Sequence, residues 1–277
     1  MNEPDSITSP ANPRVKRAAA LREAESRRAT GLTLVDGRRE LARAEAAGSA
    51  IVEVFVADDA DAIGTADAPP LRDWLARLAR NGTRIAILSE KAFGRVAFGS
   101  RNEGVVGVVR FGPRPLGGVV FTADRPVLVV EGVEKPGNLG GIVRTADAAG
   151  LGGVIAASPR TDVANPAVIR ASLGTVFSMP LATATTGETI AWCRGQARRV
   201  VAATPRGRRL WHEADLRGGV AILLGSEAHG ISSEWADAGL DFETVRLPMH
   251  GLADSLNLSA TAAVFAYEAD RQRDARP

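Results

Sequence analysis

Three polar, glycine-bearing stretches hold the side chains best suited to chemistry: 131-EGVEKPGNLGGIVRTADAAG-150, 223-LLGSEAHGIS-232 and 247-LPMHGLADSLNLSATAAVFAYE-268. They offer amides at Asn138 and Asn257, a guanidinium at Arg144, a carboxylate at Glu227 and hydroxyls at Ser255 and Ser259. In the third stretch Ser255, Asn257 and Ser259 alternate with Leu256 and Leu258 where an apolar helix begins. A helix cap accounts for one of these polar residues, and Ser255 is the expected N-cap. The other two polar residues remain unexplained. Taken singly, the first two stretches read blandly. Asn138 caps a helix, Gly140 and Gly141 allow close packing, and Arg144 is a surface charge. Gly225, Glu227 and Gly230 form a turn with an N-cap.

Several chemistries are excluded at this level. Neither a GxGxxG nor a GxxxxGK[ST] pattern occurs, so the common dinucleotide and nucleoside-triphosphate fingerprints are missing. His212, His229 and His250 lack metal-ligand spacing, and no metal is assigned. The single Cys193 precludes an internal disulfide and a multi-cysteine zinc site. It is expected to be buried and inert, in a protein of the reducing cytoplasm.

The 277 residues suffice for two domains, each with its own core. With 45% apolar and 24% charged residues the composition is that of a soluble globular protein. No apolar run reaches the length of a membrane span, and the first residues lack the apolar core of a secretory signal. Net charge is only +2, but the basic residues cluster. Six lie between Arg14 and Arg28, including Lys16 and Arg17, against Glu23 and Glu25. Six arginines and no acid lie between Arg194 and Arg209, Arg206 among them. Guanidinium forks suit phosphate oxygens, so Arg14, Lys16, Arg17 and Arg206 are candidate contacts to a polyanion.

The elements that must position these groups follow from hydrophobic periodicity. In the first 112 residues, TLVDG, IVEVFVA, RIAILS and GVVGVVRF read as strands. RRELARAEAAG and LRDWLARLARNG carry the helical period, and Asp58 to Pro70 reads as a surface loop. The Gly/Pro-rich GPRPLGG (112–118) marks a domain boundary. Beyond it RPVLVVEGV, GGVIAAS, RRVVAAT, GVAILLGS and ETVRLPM are almost wholly apolar runs separated by helical patterns. Such runs are expected of strands buried on both faces in a parallel α/β sheet. In sheets of this kind functional loops lie at the carboxyl ends of the strands, where the three polar stretches fall.

Together and in this order the three stretches resemble the SpoU (TrmH-type) branch of the SPOUT RNA ribose methyltransferases. The family's first motif is matched by Asn138-Leu139-Gly140 followed by Arg144-Thr145-Ala146, and its second by Gly225, Glu227 and Gly230. The third is matched by Pro248-Met249-His250-Gly251 and Ser255-Leu256-Asn257-Leu258-Ser259, with Leu258 where Val is usual. ITSPANPRVKRAAAL, VDGRRELARA and NEGVVGVV are similar to the family's auxiliary substrate-binding domain. The layout looks most like the 23S rRNA enzymes, including those that protect producers of thiostrepton-type or avilamycin-type antibiotics.

The resemblance implies an α/β protein: an L30e/L7Ae-like RNA-binding domain over residues 1–112, a linker over 113–123, and a SPOUT domain with a deep trefoil knot over 124–277. It implies S-adenosyl-L-methionine as cofactor, held by Thr204, Gly225, Leu247, Met249 and Leu256, mostly through backbone groups. It implies transfer of the methyl group to a ribose 2'-hydroxyl of RNA. Arg144 faces the ribose and its phosphate, as base or as electrostatic stabiliser. Asn138 and Asn257 orient Arg144 or the ribose, Glu227 holds substrate or catalytic side chains, and Ser255 assists. A homodimer through the knotted domain, no membrane association and a 23S rRNA substrate complete the expectation. A tRNA substrate and a noncatalytic RNA-binding protein of the same fold are the rival readings; the presence together of Asn138, Arg144, Glu227 and Asn257 argues against the second.

Overall fold

The computed structural model describes residues 5–60, 70–98 and 103–274. The chain divides into two compact units. Unit 1 takes residues 1–112 together with 164–178, and unit 2 takes 113–163 and 179–277. Much of the loop expected from Asp58 to Pro70 lies outside the described residues.

Unit 1 opens with a short strand β1 (Asp5–Ile7) and helices α1 (Pro13–Ala20) and α2 (Ala24–Thr30). Asn12 caps α1 by accepting the Arg14 N–H, and Pro13 takes the first helical position, where no N–H is needed. The four expected strands follow as β2 (Leu32–Asp36), β3 (Ile51–Ala57), β4 (Arg84–Leu88) and β5 (Val105–Arg110). Between them stand α3 (Arg38–Ala46), α4 (Leu71–Arg80) and α5 (Glu90–Val96). The sheet is mixed, in the order β1-β4-β3-β5-β2, with β5 antiparallel to both neighbours.

Unit 2 is a seven-stranded sheet in which every pairing is parallel. The chain runs β6 (Val127–Glu131), α6 (Pro136–Ala148) and β7 (Gly153–Ala157), and then α7 (Pro166–Ala171), which belongs to unit 1. It continues through β8 (Leu181–Ala184), α8 (Thr186–Gly195), β9 (Val200–Ala203), β10 (Arg209–Leu210), β11 (Ala221–Leu224), α9 (Glu234–Asp237), β12 (Phe242–Arg246) and α10 (Leu258–Asp274). The order across the sheet is β10-β12-β9-β11-β6-β7-β8. Strands β6, β7 and β11 are buried along their whole length, as continuous apolar runs require. Strand β12 departs from that expectation. Only Val245 is buried there, because its outer neighbour β10 is two residues long and leaves most of it uncovered.

The core on one face of this sheet joins Val127, Val129, Ile155, Leu223 and Trp235 with Cys193. Burial pushes the Cys193 thiol up to about 12, so it stays protonated and unreactive. The winding of the sheet reverses between β6 and β11. From β6 the chain proceeds outward to β7 and β8, then crosses to β9 and fills in β11 beside β6. Open α/β sheets bind ligands at such a reversal, outside the carboxyl ends of the strands.

Candidate active site

The segments leaving the carboxyl ends of β9, β11 and β12 enclose a cavity of about 320 Å³. That is within the range of small-molecule sites, roughly 300–1,000 Å³. Leu224, Ile231, Leu247, Met249, Leu256 and Leu258 supply apolar wall, while Thr204, Ser226, Glu227, Asp254, Ser255 and Thr261 supply polar groups. Thr204, Gly225, Leu247, Met249 and Leu256 all line the cavity, together with Glu227 and Ser255. This composition suits a nucleoside-bearing cation. The apolar wall accepts a flat base, and Asp254 presents a carboxylate with no hydrogen bond or ion pair to another described residue.

The loop after β11 is closed on itself. Ser226 and Gly230 exchange two backbone hydrogen bonds of 3.0 Å, and the His229 N–H donates to Ser226 Oγ at 3.0 Å. A Cβ on Gly225 would fall 2.2 Å from the carbonyl carbon of Gly230, so only glycine permits this approach. The far end of the loop is anchored by Glu131, the buried last residue of β6. Its carboxylate accepts the Ser232 N–H at 2.9 Å, Ser232 Oγ at 2.8 Å and Thr186 Oγ1 at 2.8 Å. Three donors offset the cost of burying this carboxylate.

Glu227 joins the motif stretches. Asn138 Nδ2 donates to its Oε1 at 2.8 Å and Asn257 Nδ2 at 3.3 Å, while Lys135 forms an ion pair with Oε2. Asn257 Nδ2 also donates to Asn138 Oδ1 at 3.0 Å. Lys135 holds the Glu227 carboxyl below the usual range against the opposing effect of burial, and the Asn138 amide and the Leu258 N–H act in the same direction as Lys135. A carboxylate clamped this way is a structural anion. It is a poor proton acceptor.

Residues 125–267 match the SpoU rRNA Methylase family, and residues 12–107 match the MRM3-like substrate binding domain. The chain belongs to the SpoU rRNA methylase family. It is 30% identical over 275 residues to the 23S rRNA (adenosine(1067)-2'-O)-methyltransferase of Streptomyces laurentii, spanning 99% of this chain and 98% of that protein. It is 31% identical over 211 residues to a 23S rRNA (guanosine-2'-O-)-methyltransferase of Bordetella pertussis, spanning 73% of this chain and 84% of that one. Among solved structures, an AdoMet-bound rRNA methyltransferase from Sinorhizobium meliloti superposes with a TM-score of 0.85 at 29% identity, over 98% of both chains.

Within this SpoU chain two local expectations are corrected. Asn138 is no cap. Helix α6 starts at Pro136, so the Asn138 amide lies inside the first turn and is directed to Glu227 and Asn257. Ser255 is no cap either. Helix α10 starts at Leu258, and Asn257 takes the cap position, its Oδ1 accepting the Ser259 N–H at 2.9 Å and Ser259 Oγ at 2.6 Å. Asn257 prevails because one amide serves both ends: the oxygen caps the helix and the nitrogen reaches the Glu227 junction.

Arg144 lies on α6 outside the cavity wall. It is exposed and has no hydrogen bond or ion pair to a described residue, so the two amides orient Glu227 rather than Arg144. Lys135 and Asp254 are the site residues that motif reading passed over. The only available signal was their position beside Pro136 and Ser255.

The basic clusters do not act as units. Arg14 is half-buried between Asp5 and Glu53, each 2.5 Å away, and is occupied within the fold. Arg27 is buried and donates to the carbonyls of Leu21 and Arg22. Lys16 and Arg17 are exposed. In the second cluster Arg198 is buried, donating to the Arg125 and Thr122 carbonyls at 2.9 Å, and stacks 5.0 Å over the Trp192 ring. Arg199 and Arg209 share Glu243, and Arg194 donates to the Ala238 carbonyl. Arg206 is exposed.

Among the described residues no group of three or more His, Cys, Asp or Glu is arranged to hold a metal. Among the same residues no helix is long and apolar enough to cross a membrane.

Proposed function

We propose that this chain methylates a ribose 2'-hydroxyl in RNA, with 23S rRNA as the substrate and S-adenosyl-L-methionine as the donor. The observation that carries the reading is the cavity beside the Lys135–Glu227–Asn138–Asn257 junction, built from the three SpoU motifs. When bound, S-adenosyl-L-methionine supplies an already activated methyl carbon. The protein's task is then alignment, which can lower a barrier by about 7–11 kcal/mol.

In this reading the apolar side chains Leu224, Leu247 and Leu256 flank the adenosyl group, backbone groups near Thr204 and Gly225 accept its polar edges, and Asp254 attracts its positive charge. Arg144, exposed and without a partner among the described residues, holds the RNA phosphate and stabilises negative charge growing on the 2'-oxygen. A guanidinium offers five N–H donors and no acceptor, so electrostatic stabilisation is the role its chemistry favours over that of a base. Asn138 and Asn257 keep Glu227 in place at the cavity wall, and Ser255 offers a hydroxyl to the same space.

The same reading includes a deep trefoil knot formed by the segment between β12 and α10. It includes RNA capture by unit 1 through Lys16 and Arg17. It also includes a homodimer through unit 2, supported by the exposed apolar side chains of Leu252 and Tyr267. The test is direct. Protein-free 23S rRNA and bulk tRNA are incubated separately with labelled S-adenosyl-L-methionine, and label is mapped by primer extension as 2'-O-methyl stops. Label in 23S rRNA at one ribose is expected. Transfer to tRNA alone, or to neither RNA, would overturn the assignment.

A further inference from the structure

The turn from Thr204 to Arg208 has an unusual division of labour. Its backbone is held tightly. The Thr204 N–H donates to the Val245 carbonyl at 2.9 Å, Gly207 N–H to Thr204 at 3.0 Å and Arg208 N–H to Thr244 at 3.1 Å. The Arg246 guanidinium donates to the Gly207 carbonyl at 2.9 Å. A Cβ on Gly207 would fall 2.2 Å from the carbonyl carbon of Val245, so the turn sits against β12 as closely as backbone allows. Thr204 and Pro205 at its start form part of the cavity wall.

The side chains of the two arginines flanking Gly207 take no part in this bonding. Arg206 and Arg208 are exposed, and neither guanidinium has a hydrogen bond or ion pair to a described residue. Glu243, on the adjoining strand β12, is engaged by Arg199 and Arg209 at 3.0 and 2.9 Å. Two cations without a partner among the described residues are mounted on a tightly bonded turn at the rim of the cavity. Rigidity matters because a pre-ordered scaffold lowers the entropy lost on binding.

We infer that Arg206 and Arg208 form a clamp for two phosphates of the RNA backbone, presenting the substrate strand at the mouth of the cavity. The inference rests on the function proposed above and adds a contact point and its chemistry: charge, without base reading. Each phosphate contact releases counterions, so log affinity falls with log salt by about 0.7 per phosphate on a single strand and about 0.9 on a duplex. Two contacts give about 1.4–1.8.

The experiment compares the wild-type protein with the doubly substituted Arg206→Ala/Arg208→Ala and Arg206→Lys/Arg208→Lys chains. Affinity for protein-free 23S rRNA is measured from 50 to 200 mM salt, with S-adenosyl-L-methionine affinity and melting temperature measured alongside. The alanine pair should retain its melting temperature and S-adenosyl-L-methionine affinity. The wild-type protein should lose about 7–12-fold more RNA affinity than the alanine pair over that fourfold rise in salt. The lysine pair should restore the wild-type slope. Equal slopes for wild type and alanine pair, or failure of the lysine pair to restore the slope, overturn the clamp and leave the methyltransferase reading standing. A wild-type protein that neither binds nor methylates RNA overturns both.

Discussion

Asn138 and Asn257 are 119 residues apart in the chain, and the side-chain nitrogen of one lies 3.0 Å from the side-chain oxygen of the other. The orientation of both amides is dictated by their partners. Asn257 must turn its oxygen toward the Ser259 N–H, a donor, which leaves its nitrogen for Asn138 and Glu227. Asn138 then accepts from Asn257 and donates to Glu227. One chain of hydrogen bonds thus links the start of α10, the first turn of α6 and the wall of the cavity.

Asn257→Ala should remove a helix cap and one member of this chain together. A lost cap costs about 1 kcal/mol, and leaving the oxygen of the buried Asn138 amide without its donor about as much again. Chemical denaturation should show a loss of about 2 kcal/mol. Asn257→Asp keeps the capping oxygen but faces Glu227 with a second carboxylate. Its stability should lie nearer the wild type, while calorimetry shows S-adenosyl-L-methionine affinity reduced as far as in the alanine variant. If the Asp variant binds the cofactor normally, the amide donor is not required.

Arg144→Ala should reduce methyl transfer at least 100-fold, the scale of losing one preorganised charge-stabilising group. Because Arg144 stands outside the cavity wall, cofactor affinity should stay within about twofold. Single-turnover transfer and calorimetry read the two quantities separately. Normal turnover by this variant would remove Arg144 from the mechanism.

Lys135 supplies the largest influence depressing the Glu227 pKa. A depressed carboxyl contributes stabilisation that is present above its unfolded value and lost as pH falls through the folded value. Lys135→Met should raise that folded value, so cofactor binding fails at a higher pH on acidification. Lys135→Arg should keep the wild-type profile. Superimposable pH profiles for wild type and the Met variant would show that Lys135 does not hold Glu227.

Asp36, in unit 1, behaves in the opposite sense. Burial pushes it up to about 6, against the Phe98 N–H at 2.5 Å and Arg170 at 3.6 Å, with Glu103 and Glu40 adding to the rise. Its folded value lies above the unfolded one, near 3.9. The associated stabilisation is complete below pH 4 and is lost as pH rises through about 6. Asp36→Asn should therefore gain on the wild type between pH 4 and pH 7, by up to about 2–3 kcal/mol. Denaturant midpoints at the two pH values check it; parallel changes in both proteins would mean that Asp36 titrates normally.

How much of this was legible beforehand depends on the range of each signal. The runs around Val127, Val154, Val201 and Ile222 are readable as strands because a strand buried on both faces needs apolar residues at every position. Strand β8 is only half-buried along Thr183 and Ala184, and β10 is two residues long, so neither leaves a pattern to read. The basic clusters mislead for a related reason. Arg27, Arg198 and Arg206 look alike in one dimension, yet the first two are buried and the third is exposed.

The amino-acid sequence by itself determined the chemistry on offer: the motif residues, the strand-and-helix rhythm of unit 2 and the carboxyl-end loops carrying Asn138, Glu227 and Asn257. Those properties are local, set by side-chain type and by neighbours a few residues away. Only the tertiary structure decided that Asn257 rather than Ser255 caps α10, that Lys135 faces Glu227, and that the Arg206 and Arg208 guanidinium groups have no hydrogen bond or ion pair to another described residue. The physical reason is that each outcome depends on a group from another strand end. The order β12-β9-β11-β6 brings those ends together across intervals of up to 119 residues.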